Sequence, residues 1–247
     1  MKNFLLRLSV FLLLQATLLF AQVIIYFHSS VRGVEYESAT VDKHNLLSHQ
    51  PSPRIIFVGG SNVGWGLDSN AFLERLGLNP VNMGLDADLG LDFMLNEVKE
   101  SVRTGDVIVI SPEYEHFEES YLGGNYQHLF KVLCERPASA RYLAASNFSS
   151  LLDQGLILMG DLTRFTLQIF TGGNKPTAPS HSPGRESFNN LGDEISHYYR
   201  PRRVPTYPLE LNPSNSSIER VIRSIEPIQF LLPEPGSCSL LFLPIAV

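Results

Sequence analysis

Three short, mostly apolar segments constrain the fold of this chain more than any other feature of its sequence. They lie at 54–58, 80–83 and 107–110. Short apolar runs bounded by turn residues are typical of strands that are buried on both faces of a sheet. Between them, 70–76 and 89–102 carry apolar residues at helical spacing, and Asp88 is the expected N-cap of the second helix.

Strands that alternate with helices in this way predict right-handed crossovers and a mostly parallel sheet with helices on both faces. The predicted fold class is a three-layer α/β/α domain preceded by one N-terminal transmembrane helix. Apolar residues make up 44% of the chain and charged residues 18%, which is typical of a globular protein. The 247 residues suffice for one such domain and an anchor.

An apolar segment from Phe4 to Phe27 precedes the globular part and is interrupted by few polar residues. A helix of this length can cross a hydrocarbon core of about 30 Å. Lys2 and Arg7 at its start predict a cytoplasmic N-terminus, so the domain should lie on the extracytoplasmic side, periplasmic or extracellular. A cleaved signal peptide is the alternative, although Leu19-Phe20-Ala21 is a poor small-x-small cleavage site.

These features divide the chain into three parts. We expect a signal-anchor helix at 1–27, a polar stalk at 28–53 and one α/β domain at 54–247. The stalk is assigned because its composition is polar and mixed and because it ends in Pro51-Ser52-Pro53.

The second half of the domain carries weaker signals. Segment 118–170 is expected to be helical, and the proline-rich segment 172–216 is expected to run irregularly over the surface. Helical spacing from Ile218 to Ile225 is expected to stop at Pro227. A last strand is expected to begin at Ser239.

Charge and cysteine spacing argue against a nucleic-acid partner and against a zinc site. The net charge is −6, and the basic cluster of Arg200, Arg202 and Arg203 is short and interrupted, which argues against a nucleic-acid partner. Cys134 and Cys238 lack the spacing of a zinc site. They are compatible with one disulfide or with two buried thiols.

The segment with the clearest chemical potential is Gly59-Gly60-Ser61-Asn62, directly after the first predicted strand. In open parallel sheets, ligands bind beyond the carboxyl ends of the strands, which is where Ser61 would lie. Glycines permit a sharp turn, and the N–H groups of the next turn can bind a developing oxyanion. A tight turn without chemistry is the alternative, and the spacings of phosphate-binding loops are missing.

This segment, together with Gly66-Leu67-Asp68-Ser69, resembles the first conserved block of the SGNH/GDSL hydrolases, which include membrane-anchored envelope proteins. The resemblance implies a flavodoxin-like fold, with Ser61 as the nucleophile and Asn62 beside the substrate. Asn82-Met83-Gly84 is similar to the second block, which implies that the Gly84 N–H binds the oxyanion. The resemblance covers residues 54–117.

Two departures from the family pattern concern the rest of the site. The third block should supply an asparagine donor, but Ser111 to Phe117 contains none. Glu113 cannot donate a hydrogen bond while ionised, whereas the hydroxyl of Tyr114 can. The last block, Asp-x-x-His, should follow the final strand, where the sequence stops at Val247. We therefore expect a C-terminal truncation.

A serine nucleophile needs a base, and the histidines within the sequence supply candidates for it. Asp193 and His197 are four residues apart and form the first candidate pair. His116 follows a predicted sheet strand and is the second candidate. His128 and His181 are expected on the surface.

The resemblance implies a serine esterase or O-acyltransferase that acts on acyl esters of envelope polysaccharide or lipid. Such chemistry requires neither a metal ion nor an organic cofactor. The alternative is a non-catalytic, membrane-anchored protein that retains the fold and binds a glycan or assists assembly. Reading past Val247 for an Asp-x-x-His motif would distinguish the two.

Overall fold

The computed structural model of the chain describes residues 2–27, 33–117, 123–171, 183–198, 215–229 and 239–242. The helices are α1 (Lys2–Phe27), α2 (Thr40–His49), α3 (Ser61–Gly66), α4 (Ser69–Leu76), α5 (Leu91–Lys99), α6 (Tyr126–Glu135), α7 (Ala145–Asp153), α8 (Gly155–Phe170) and α9 (Asn215–Gln229). The strands are β1 (Arg54–Gly59), β2 (Asn79–Asn82), β3 (Val107–Ser111) and β4 (Ser239–Phe242).

The described strands form one parallel sheet in the order β2-β1-β3-β4. The chain leaves β1 for β2 on one side and returns to β3 on the other. In the register of the central pair, Gly59 lies opposite Ser111. The predicted mixed α/β fold with a parallel sheet is thus confirmed.

Apolar side chains of β1 point alternately to the two faces of the sheet, as expected for an extended strand. Ile56 and Val58 belong to the larger core cluster, with residues of α5, α6 and α9. Ile55 and Phe57 belong to a smaller cluster, against which Phe72 of α4 packs. Burial of alternate residues in separate clusters explains why the segment lacks a polar face.

Helix α1 is the apolar N-terminal helix that the sequence predicts. Its segment 3–25 is long and apolar enough to span a membrane, and only 6% of its most apolar window is buried inside the protein. Most of its apolar surface is therefore exposed, as expected of a helix that lies in lipid.

The predicted stalk is wrong for residues 36–49. Tyr36–Ala39 forms a 3-10 turn that continues directly into α2, and Leu47 is fully buried. His44 is also buried, and its Nε2 lies 2.9 Å from Glu97 Oε1. The polar residue His44 thus pairs with a group inside the domain and is not part of a solvated stalk.

Two helix ends also differ from expectation. Asp88 does not cap α5: it lies in the 3-10 turn Ala87–Leu89, where its N–H donates to Asp86 Oδ1 at 2.9 Å. Gly90 precedes α5 with φ of +82°, a value that L side chains rarely adopt. Helix α9 continues through Pro227 to Gln229.

The proline-rich segment is described for residues 183–198, which do not run loosely over the surface. Leu191, Asp193 and Glu194 are buried at the carboxyl edge of the sheet. The N–H of Asn82, the last residue of β2, donates to Leu191 O at 3.0 Å. This segment therefore extends the main-chain hydrogen bonding beyond the edge of the sheet.

Several sequence expectations fall wholly or partly outside the described residues. They concern Cys238, His181, the arginines at 200–203 and the end of the last strand. Cys134, the other cysteine, is buried in α6.

Candidate functional site

The candidate site lies at the carboxyl ends of β1 and β3. The order of the strands reverses here, because β2 lies on one side of β1 and β3 lies on the other. In open α/β sheets, the loops after two neighbouring strands separate at this position and leave a crevice for ligands. Ser61 follows β1 and Glu113 follows β3, each two residues beyond the register pair Gly59 and Ser111. Equal spacing from paired residues explains why these two side chains meet.

Ser61 Oγ donates a hydrogen bond of 3.2 Å to Glu113 Oε1. The N–H of Asn62 donates to the same oxygen at 3.0 Å. Burial raises the pKa of Glu113, and the hydrogen bonds from Asn62 and Ser61 oppose that shift. The result is a half-buried carboxylate that is more basic than usual and contacts a serine hydroxyl.

His116 fixes the turn that carries Glu113. Its imidazole is fully buried, Nδ1 accepts the N–H of Glu113 at 2.9 Å, and Nε2 lies 3.1 Å from Ala87 O. Because a carbonyl can only accept, Nε2 carries the proton and the ring is neutral. Burial lowers the pKa of His116, which agrees with a neutral ring. Since both ring nitrogens are engaged, His116 acts on the turn rather than on Ser61.

Two glycines allow the loops of the site to approach each other closely. A Cβ at Gly60 would collide with the Glu113 carboxylate and the backbone of Ala87. A Cβ at Gly84 would collide with the backbone of Gly64 and the side chain of Val63. Both positions therefore require glycine for steric reasons.

The Gly84 N–H, which the resemblance assigns to the oxyanion, donates to Asn82 Oδ1 at 2.9 Å. The side chain of Asn62 also forms hydrogen bonds within the protein. Its Oδ1 accepts the Val63 N–H at 2.7 Å, and its Nδ2 lies 3.3 Å from Ser111 O. Tyr114 begins the 3-10 turn after Glu113 and is half-buried.

Asp193 lies in a structural network and does not pair with His197. Its Oδ1 accepts from Ser69 Oγ at 2.5 Å and from Asn82 Nδ2 at 2.8 Å. Its Oδ2 accepts from the Ser69 N–H at 2.9 Å and from Asn189 Nδ2 at 3.1 Å. The carboxylate is fully buried and joins the start of α4 to β2 and to the segment 183–198.

His197 lies over the helix that begins with Ser61. Among the described residues it hydrogen-bonds Glu194, with Nδ1 and Oε2 3.0 Å apart, rather than Ser61. Its ring centroid is 5.3 Å from that of Trp65. The Glu194 N–H donates to Gly64 O at 2.8 Å, so this segment holds the carboxyl end of α3.

Lys43 of α2 ties the same segment to the sheet. Its Nζ is buried and donates to Asn82 O at 3.0 Å and to Gly192 O at 2.6 Å. Burial lowers its pKa to about 7, although the charges of Asp193 and Glu97 act in the opposite direction. It borders a cavity of about 280 Å³ between α2 and the segment 188–192. Main-chain acceptors engage this amine, which indicates a structural role.

A cluster of side chains that could ligate a metal ion lies beside the site. It includes His128, which is half-buried rather than on the surface as the sequence predicts. Ligand atoms of Asp86, Asp88 and His128 lie within 4.8 Å of one another. His128 Nδ1 is 2.9 Å from Glu37 Oε1. Burial alone would lower the pKa of His128, but Glu37 and the two aspartates outweigh it and raise that pKa. The three carboxylates therefore stabilise the protonated form of His128, and the same groups are of the type that ligates a metal ion.

Sequence reasoning misses Glu113 as the hydrogen-bond partner of Ser61, because by type an ionised glutamate does not replace the asparagine donor expected in this block. The available signal was its distance from the strand: both residues follow the ends of neighbouring parallel strands at the same offset. Comparison with protein-family models, curated proteins and solved structures finds no match for this chain.

Proposed function

We propose that this protein performs serine-dependent acyl-ester chemistry, with Ser61 as the nucleophile and Glu113 as the general base. The supporting observation is the 3.2 Å hydrogen bond from Ser61 Oγ to Glu113 Oε1 at the crevice between β1 and β3. A serine hydroxyl becomes a competent nucleophile when an adjacent base accepts its proton. A carboxylate with a raised pKa is better matched to that task near neutral pH.

In the proposed reaction, Glu113 Oε1 takes the proton of Ser61 as Oγ attacks the carbonyl carbon of an acyl ester. The tetrahedral intermediate collapses, the ester C–O bond breaks, and the protonated Glu113 returns its proton to the departing alkoxide. Hydrolysis of the acyl-serine by water defines an esterase, and attack by another hydroxyl defines an O-acyltransferase. This sequence balances without a metal ion or a cofactor.

The geometry around Gly84 sets a condition on this mechanism. Its N–H donates to Asn82 Oδ1 before substrate binds, so an oxyanion has to displace that bond to gain the Gly84 donor. Donors aimed at the oxyanion contribute much of the rate enhancement in acyl transfer. Substrate binding therefore has to be coupled to the loss of the hydrogen bond between Gly84 and Asn82.

We further propose that the domain has the three-layer arrangement of the SGNH/GDSL hydrolases and lies on the extracytoplasmic side of a membrane. Lys2 precedes the apolar segment and Arg7 lies near its start. Basic residues at this end favour a cytoplasmic N-terminus. A domain held close to the bilayer in this way would meet acyl esters of envelope lipid or glycan.

The experiment is covalent labelling of the full chain in detergent by a fluorophosphonate, combined with turnover of short-chain p-nitrophenyl esters. We expect labelling of Ser61 in the wild-type chain and loss of both signals in Ser61→Ala. The matched control is Ser48→Ala on α2, whose hydroxyl donates to the carbonyl of His44, one turn earlier in the same helix, at 2.7 Å. Labelling and turnover that persist in Ser61→Ala would refute the proposal.

The second candidate is a non-catalytic protein that binds a glycan or assists envelope assembly. The observation that favours it is the engagement of the Gly84 and Asn62 N–H groups by protein acceptors. A wild-type chain that neither labels nor turns over esters, but binds glycan oligosaccharides in calorimetry, would favour this candidate over the first.

A further inference from the structure

Helices α7 and α8 expose large apolar side chains, although they follow the polar crevice region in the chain. The exposed fractions are 58% for Phe148, 65% for Leu152, 57% for Ile157, 57% for Leu167 and 74% for Phe170. Scattered single apolar residues are normal on a protein surface, but a group on two consecutive helices marks an interaction site. We refer to these five residues as the α7–α8 surface.

The position of this surface is fixed by contact with the N-terminal helix. Helix α8 packs against α1, and Gln22 Nε2 of α1 donates to Thr163 Oγ1 of α8 at 2.9 Å. Gln22 is 5% exposed, whereas the residues of α1 before Leu19 are exposed throughout the described part. Helix α8 therefore packs beside the carboxyl end of α1, where the anchor joins the domain.

The length of α8 excludes a second transmembrane helix. Its 16 residues span about 24 Å at 1.5 Å per residue, less than the hydrocarbon thickness of about 30 Å. Arg164 lies exposed in the middle of α8, between Ile157 and Leu167. A helix too short to cross the bilayer that exposes large apolar side chains is suited to lie in the membrane interface.

We propose that the α7–α8 surface lies on the lipid bilayer beside α1, as a second membrane contact that seats the domain on the membrane. The proposal rests on α1 being a membrane anchor. A lipid bilayer is the occupant favoured by continuity, because the surface adjoins the helix that would enter it. The consequence is a fixed orientation of the domain, rather than a domain tethered at one point.

The experiment measures quenching of added tryptophans by brominated lipids. The full chain is reconstituted in nanodiscs at one copy per disc, and wild type, whose one tryptophan is Trp65, supplies the baseline. Phe148→Trp and Phe170→Trp report on the α7–α8 surface. Phe11→Trp reports on the anchor, and Leu76→Trp on α4 is the matched control, because Phe11 is 57% exposed and Leu76 is 56% exposed.

We expect brominated lipid to remove most of the added emission from the reporters at positions 11, 148 and 170, and none from that at 76. Quenching at 11 without quenching at 148 and 170 would overturn the proposed membrane contact of the α7–α8 surface. The role of α1 as a membrane anchor would still stand. A lack of quenching at position 11 as well would overturn both.

Reporters at 148 and 170 that are shielded from both brominated lipid and aqueous acrylamide would indicate a protein partner and overturn the proposal. Circular dichroism checks that each variant keeps its helix content. Leu152→Trp and Leu167→Trp serve as second reporters if either aromatic replacement fails to fold.

Discussion

Ser61 and Glu113 lie 52 residues apart in sequence but are joined by a hydrogen bond of 3.2 Å between Oγ and Oε1. The bond crosses the crevice between two neighbouring parallel strands, and the Asn62 N–H supports the same carboxylate oxygen at 3.0 Å. A serine with a half-buried carboxylate as its partner is the arrangement from which the proposed chemistry follows.

The first prediction concerns the pH dependence of Ser61 labelling by a fluorophosphonate. Burial raises the pKa of Glu113, and only the ionised form can accept the serine proton. The labelling rate should therefore rise with pH through that raised pKa and then level off. In Glu113→Gln the rise should disappear and the plateau should fall by about 10²- to 10⁴-fold.

Glu115→Gln is the matched control for this measurement, because Glu115 is an exposed neighbour in the same turn. It should keep the rise with pH, shifted slightly downward, since the charge of Glu115 helps to raise the pKa of Glu113. An unchanged profile in Glu113→Gln would remove that residue from the mechanism.

The second prediction separates the structural role of Asp193 from a catalytic one. Asp193→Ala leaves the donors of Ser69, Asn82 and Asn189 without their buried acceptor. Because an unsatisfied buried polar group costs about 1–3 kcal/mol, the free energy of unfolding should fall by at least about 3 kcal/mol.

Unfolding of the full chain in detergent, followed by circular dichroism in urea, measures this loss. Glu74→Ala, at an exposed carboxylate inside α4, should change the free energy of unfolding by less than about 0.5 kcal/mol. An Asp193→Ala variant as stable as wild type would contradict the structural role.

The third prediction is a pH-dependent contribution of His128 to stability. Its pKa in the folded protein is raised above 6.5, because Glu37, Asp86 and Asp88 together outweigh the opposing effect of burial. The folded state therefore binds the proton more tightly than the unfolded state. This stabilisation is fully present below pH 6.5 and is lost as the pH rises through the raised pKa.

His128→Gln should accordingly destabilise the protein more at pH 5.5 than at pH 8.5, as measured by thermal unfolding at both values. His49→Gln is the control, since His49 is exposed at the end of α2. A larger effect at the higher pH would show that His128 is neutral in the folded protein.

The fourth prediction concerns the buried ion pair at the amino end of the sheet. Arg54 and Asp106 are both fully buried, and Arg54 Nε lies 3.0 Å from Asp106 Oδ1. Asp106→Asn leaves a buried guanidinium without its counter-charge, which should cost about 3–5 kcal/mol. The double variant Arg54→Met/Asp106→Asn should lose less than the sum of its two single variants.

The exposed pair of Arg223 and Glu219 on α9 is the matched control, with side chains 73% and 65% exposed. Arg223→Met should cost less than about 0.5 kcal/mol, because solvent screens such a pair. If Arg54→Met and Arg223→Met lower the free energy of unfolding in urea by equal amounts, the importance of burial is contradicted.

The sequence by itself determined the helix α1 and the strands β1, β2 and β3. Each is specified by residues that are adjacent in the chain, through apolar length or through apolar runs that end at turn residues. The position of Ser61 at the end of β1 follows from the same local signal. Parallel pairing then follows from the helices between the strands.

The tertiary structure alone decided which polar residues meet. Residues 36–49 look like a solvated stalk in sequence, but Lys43 and His44 find buried partners only after α2 packs on the sheet. The pairing of Ser61 with Glu113 likewise required the register of β1 with β3. Asp193 and His197, close in sequence, bond to different groups for the same reason. Hydrogen-bond partners depend on which way a loop side chain points, and packing of distant segments fixes that direction, whereas periodicity records only which residues avoid water.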